Sequence, residues 1–219
     1  MNFSILLLIH FQVFVKLQRN LSLMKTLNFI FFLLLCQLVS AQEDLLSELK
    51  SSNDTSVQLL PPKMLITQRV LWGEKGLMRP VIQLNTANRE KELKIRRAML
   101  VAHQVLGFIT LGGMAGQAIT GTQLYRGNNQ IKDLHENLAV GVNISYGATA
   151  AMSFFAPPPL INRDKKLSAI RLHKWLSVVH MAGMIATNVL AENGPRSLHR
   201  AAAITTFASF GAAIISIKF

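Results

Sequence analysis

The sequence is short of cysteine, of acid and of charge in general. Its one cysteine, Cys36, excludes a disulfide framework and any CxxC metal or redox site across 219 residues. Asp and Glu number 11 against 23 Lys and Arg, a formal charge of +12, yet only 16% of residues are charged. Half the chain is hydrophobic and its mean hydropathy is +0.32, too apolar for an ordinary soluble fold. Basic charge on so apolar a chain points to a membrane before nucleic acid, and no zinc-finger, helix-turn-helix or aromatic RNA-binding signature is present. The apolar stretches carry no nucleophile triad, phosphate-binding glycine loop or paired carboxylates, so hydrolase and ATPase chemistry have no residues to rest on.

Two apolar stretches open the chain, Ile5–Val15 and Leu27–Val39. Both fall short of the roughly 20 residues of a membrane span. The second has the parts of a signal peptide over residues 24–41: Lys25 as the positive start, Ile30–Cys36 as the apolar run, and Val39-Ser40-Ala41 before Gln42. Residues 1–23 then read as an upstream extension, the alternative being one uncleaved signal anchor. Leu35 is too large to precede a lipidated cysteine, so Cys36 is expected to leave with the signal peptide.

Residues 42–97 read as a short polar arm. Ser51-Ser52-Asn53-Asp54 marks a turn and Pro61-Pro62 stops any helix. Leu65–Met78 mixes Trp72 and Met78 with Arg69 and Lys75, as an interfacial segment does, and charge becomes dense from Asn88 to Arg97. The arm serves either as a solvated linker or as a docking module.

Residues 98–219 hold four stretches long enough to cross a bilayer: Met99–Leu124, Leu134–Ala156, Leu167–Ala191 and Leu198–Ile217. Their charges lie near the ends, and the links between them are short. Short links make consecutive helices antiparallel neighbours, so the expected fold is an all-α membrane protein, an up-down four-helix transmembrane bundle. Small residues recur in the first and last spans, at Gly112, Gly113 and Gly116 and at Gly211-Ala212-Ala213. They either let helices approach closely or clear room for a flat cofactor.

Apart from His10, every histidine lies in or at the edge of a span: His103, His135, His173, His180 and His199. Ionisable groups inside a bilayer are costly and are functional candidates by default. His103 and His173 sit about six residues into the first and third spans, roughly 9 Å deep. His135 and His199 lie just inside the second and fourth, near the opposite face. In an up-down bundle these are diagonal pairs, one near each face. Each pair suits an iron porphyrin held from both sides, because imidazole is a good iron ligand and two axial ligands leave no open position. His180 lies seven residues past His173 on the same helix face, about 10 Å deeper. It can replace His173, bond a cofactor, or close a polar contact, and depth matching favours His173 as the ligand. The His103 face continues through Gly107, Thr110, Met114, Gln117 and Gly121, a stripe that suits either a cofactor or plain helix packing.

Several local motifs resemble the cytochrome b561 superfamily. Leu172-His173-Lys174-Trp175-Leu176 looks like its histidine-tryptophan motif. Pro195 shortly before His199, the Ala-rich span with Phe207 and Phe210, Asp133-Leu134-His135, and Ala102-His103 before Gly107-Phe108 are similar too. The resemblance covers residues 95–219. It implies a four-helix core with two b-type haems, His103 with His173 and His135 with His199. It also implies electron transfer across a membrane from a quinol- or ascorbate-like donor to an acceptor on the other side. The chain lacks an assignable ascorbate-binding basic residue and a fused donor domain. The expected partners are membrane lipid, a small electron donor and a redox protein, without nucleic acid, and the expected location is the bacterial inner membrane. A haem-bearing subunit of a larger complex and a non-redox membrane protein are the alternatives. Topology signals conflict: eleven cations flank the side where the first span begins and four the other, which makes that side cytoplasmic, whereas a cleaved signal peptide puts it outside.

Overall fold

The computed structural model describes residues 58–160 and 169–218. The signal-peptide reading, Cys36 and the cations at 163, 165 and 166 lie outside these residues. The regular elements among the described residues are all helices, with no strand among them: α1 Ile66–Trp72, α2 Thr86–Tyr125, a 3-10 turn Asn129–Ile131, α3 Lys132–Phe154, α4 Ala169–Asn193 and α5 Arg196–Lys218.

The four long helices cover the four expected spans, with shifted ends. Two of them, Thr86–Tyr125 and Arg196–Ile217, are long and apolar enough to cross a membrane. The other two carry polar side chains along their length. Asn137, Asn143, Ser145 and Tyr146 lie along α3, and Arg171, Lys174, Asn188 and Glu192 along α4. The largest shift is in α2, which begins at Thr86 rather than Met99. Asn85 caps it, its side chain accepting from the Asn88 amide at 2.8 Å. The charge-dense stretch read as the end of a polar arm therefore forms the first turns of a helix roughly 60 Å long.

α2 and α3 are antiparallel and closely packed. Gly127, at φ +94°, supplies the left-handed residue of their connection. Cβ atoms at Gly113 and Gly116 would lie 2.7 Å from Val142 Cγ2 and 2.9 Å from Leu138 Cδ2, so these glycines set the close approach of the two helices. α4 and α5 form a second antiparallel pair, with Gly183 against Thr206. Met114, Val142 and Phe210 are the buried apolar centre, joining α2, α3 and α5, with Tyr146 and Met184 packed against it. The buried hydroxyls of Thr110 and Thr206 donate to carbonyls one turn back, Leu106 and Ala202, both at 2.8 Å.

Residues 58–85 form a cap on the end of α3, and the reason lies in how α3 stops. Pro157, Pro158 and Pro159 cannot continue the helix, so the last carbonyls have no helical partner. Side chains from the cap and from the start of α2 fill those positions. Thr67 Oγ1 donates to Phe154 O at 2.7 Å, and Trp72 Nε1 to Phe155 O at 3.0 Å. Arg96 donates to Pro157 O at 2.6 Å. Arg89, fully buried, donates to Pro158 O at 2.6 Å, Pro159 O at 3.1 Å and Leu59 O at 2.8 Å.

The buried Glu92 carboxylate joins Arg89, at 2.7 Å, to Arg79, at 2.5 Å. Arg79 also donates to the carbonyls of Gly73, Ile82 and Trp72. Burial pushes the Arg89 guanidinium below its ordinary range, opposed by the hydrogen bond and charge of Glu92. Two guanidiniums thus share one carboxylate, and backbone carbonyls take up most of their other N–H groups.

Candidate cofactor site: the paired histidines

The structure brings His103 and His173 together. Their rings, on α2 and α4, meet edge-on at 80° with centroids 6.1 Å apart. Each is held from behind: His103 Nδ1 bonds Thr149 O at 2.8 Å on α3, and His173 Nδ1 bonds Ala213 O at 2.9 Å on α5. A carbonyl only accepts, so both Nδ1 atoms carry the proton and both Nε2 atoms keep a lone pair.

The second set follows the same rule. His199 Nδ1 bonds Thr187 O at 2.9 Å on α4, which fixes its proton at Nδ1 as well. His135 Nδ1 meets Thr120 Oγ1 at 2.8 Å. That hydroxyl spends its own proton on Gly116 O, at 3.0 Å, and so accepts from the imidazole. Gln117 Nε2 donates to His135 O at 2.7 Å. A Cβ at Gly121 would stand 3.1 Å from His135 Cε1, so glycine there lets the ring lie against α2.

His180 is placed differently. It is buried, and Tyr146 OH lies 2.7 Å from its Nδ1. Its ring packs on Tyr146 and Phe210, with centroids at 5.7 and 5.0 Å. This geometry supplies one of the roles the sequence offers, a polar contact with Tyr146. His173, His180 and Thr187 are spaced by sevens along α4, steps of roughly 10 Å, so the aromatic cluster lies between the two histidine levels.

The stripe of Gly107, Thr110, Met114, Gln117 and Gly121 runs along α3. Thr110 bonds Ser145 Oγ at 3.0 Å, Gln117 bonds His135, and a Cβ added at Gly107 or Gly121 would meet Thr149 or His135. The stripe therefore serves helix packing and the seating of His135. Sequence reasoning missed Tyr146, although it is one of two tyrosines and the one inside an apolar stretch. It also missed Thr120, whose place one helical face from His135 appears only once α2 and α3 are aligned.

Among the described residues no group of three or more His, Cys, Asp or Glu gathers to hold a metal. Two facing imidazoles fall short of the four ligands of a protein-built zinc site. They are a complete set only for a metal whose remaining positions are filled by something else. No protein-family model matches the chain, and neither a curated protein nor a solved structure matches it.

Proposed function

We propose that the chain is a four-helix transmembrane bundle carrying two b-type haems, and that it passes electrons across the membrane between a quinol- or ascorbate-like donor and an acceptor on the far side. The observation that carries this reading is the His103–His173 pair. Two histidines that would hold one haem iron between them must come close to each other from different helices. The observed separation is 6.1 Å.

The hydrogen bonds support the same assignment. A metal-binding histidine ordinarily donates its second ring N–H to a carbonyl or similar acceptor, which fixes the tautomer and the ring's orientation. His103, His173 and His199 do this to carbonyls, and His135 does it to Thr120. His103 with His173 would hold one haem and His135 with His199 the other. A haem with two imidazole ligands supplies reversible one-electron chemistry and has no open position for oxygen.

The protein's own contribution is to hold four imidazoles with Nε2 available, to keep them at two levels, and to fill the space between with apolar and aromatic side chains. Placement in a bilayer rests on the two apolar helices and on the many large apolar side chains exposed along all four, such as Ile109, Ile144, Val189 and Ile204.

The test is a reduced-minus-oxidised absorption spectrum of the detergent-purified chain, with pyridine haemochrome quantitation. A b-type band with close to two haems per chain is expected. A protein that stays colourless after haem supplementation overturns the reading and leaves the histidines as packing groups of a non-redox membrane protein.

A further inference from the structure

The cap is built inside out for a segment in water. In α1 the buried residues are Gln68 and Trp72, while Ile66 is 81% exposed and Val70 points outward with it. Beyond α1 the pattern continues, with Leu77 exposed and Val81 at 80%. A short segment in water buries its aliphatic side chains and exposes its amide. Thr67 and Trp72 turn inward to the carbonyls at the end of α3, and the apolar exterior is left without a protein partner among the described residues.

Position and charge say what covers that exterior. Thr67 and Trp72 tie α1 to the carbonyls of Phe154 and Phe155, so the cap stands level with the end of α3. The half-exposed Phe155 ring continues the apolar outer surface of the helices up to it. At the same level Arg96 closes on Pro157 O, which marks the change from apolar to charged side chains. Residues 58–85 contain four cations and one acid, Glu74. Arg69 and Lys75 are exposed beside Ile66, Val70 and Leu77. Aliphatic side chains interleaved with cations, lying at the rim of a hydrocarbon layer, fit an anionic headgroup region.

We infer that the outer face of residues 65–82 is a membrane-interface anchor that lies in the headgroup layer of an anionic bilayer while its inner face stays clamped to the end of α3. This inference rests on the membrane reading above but not on the haem reading. The exposed apolar residues Leu65, Ile66, Val70, Leu77 and Val81 enter the acyl boundary, and Arg69 and Lys75 meet lipid phosphates. Trp72 takes no part in lipid contact, because its ring is buried and its N–H is spent on Phe155 O.

The experiment uses the full chain with Cys36→Ala, spin-labelled singly at Ile66→Cys, Val81→Cys or, as the depth reference, Ile144→Cys, an exposed position midway along α3. Each is reconstituted in phosphatidylcholine vesicles with and without phosphatidylglycerol, and collision with oxygen and with a polar nickel chelate is measured. The expected result is a deep label at 144 and labels at 66 and 81 that favour oxygen over the chelate. That preference should grow with phosphatidylglycerol, and the growth should be lost in Arg69→Gln/Lys75→Gln. A deep label at 144 with freely chelate-accessible labels at 66 and 81 overturns the anchor and leaves the membrane reading standing. Labels at 66 and 81 shielded from both reagents also overturn it, since protein then covers the face. A chelate-accessible label at 144 removes the membrane reading itself, and the anchor with it.

Discussion

His103 and His173 face one another at 6.1 Å from helices whose partners hold them there: Thr149 on α3 secures the first ring and Ala213 on α5 the second. All four long helices therefore meet at this one pair, two supplying the rings and two the carbonyls that aim them. If the pair is one haem's ligand set, its members act as a unit and their losses are not additive. His103→Ala, His173→Ala and the double variant should each lose the same single haem. His135→Ala and His199→Ala should lose the other, and His103→Ala/His199→Ala should lose both. Haem content by pyridine haemochrome checks this. A His103→Ala/His173→Ala chain without any haem, beside single variants that keep one, would show that the two residues serve different centres.

Among the described residues the Glu92 carboxylate is the one negative charge that pairs with both the buried Arg89 and the partly buried Arg79. Its removal leaves both cations without their countercharge, a loss of roughly 3–5 kcal/mol for a buried pair with one partner deleted. Glu92→Gln should therefore lower the thermal unfolding midpoint far more than Glu90→Gln, whose partner Lys94 is largely exposed and worth about 0–1 kcal/mol. Differential scanning fluorimetry of the two detergent-purified variants measures the difference. Equal midpoints would mean that the cap opens in solution and hydrates Arg79 and Arg89.

The existence of four long helices and the meeting of His103 with His173 were legible in the sequence, and for simple reasons. Apolar runs bounded by Pro, Gly and charge define the helices. Counting residues from the ends places the two histidines at one depth. The burial of Arg89 and Glu92 was not legible. A stretch with five cations in ten residues, Asn88–Arg97, reads as solvated, and what draws Arg89 inward is a set of proline carbonyls some 70 residues later. Local composition carries no trace of an acceptor that appears only when α3 ends. The polar residues of α3 and α4 are spread singly rather than in runs, so composition alone does not set these helices apart from α2 and α5.

Gly113 sets the separation of α2 and α3, since a methyl there would come within 2.7 Å of Val142 Cγ2. Gly113→Ala should cost about 1–3 kcal/mol, the usual penalty for overpacking, despite the better helix propensity of alanine. Because the clash has one named partner, Gly113→Ala/Val142→Ala should recover part of the loss. Gly112→Ala is the matched control, with nothing within 4 Å of its added atom, and should be neutral or slightly stabilising. Unfolding midpoints of the parent chain, the Gly113→Ala and Val142→Ala single variants, their double and Gly112→Ala check the cycle. A Gly113→Ala chain as stable as Gly112→Ala would place the helices further apart than described here.

Tyr146 separates the roles of His180 and His173. Tyr146 OH is the hydrogen-bond partner of His180 Nδ1 at 2.7 Å, and removing one partner of a buried pair costs about 1–3 kcal/mol. Tyr146→Phe should thus lower stability while leaving haem content at two, and His180→Leu should do the same, since neither ring belongs to a facing imidazole pair. His173→Ala should instead lose a haem. If His180→Leu removes a haem and His173→Ala does not, the ligand is the deeper histidine. The His103–His173 contact would then be packing across the bundle, and the separation of the two centres along α4 would shrink by about 10 Å.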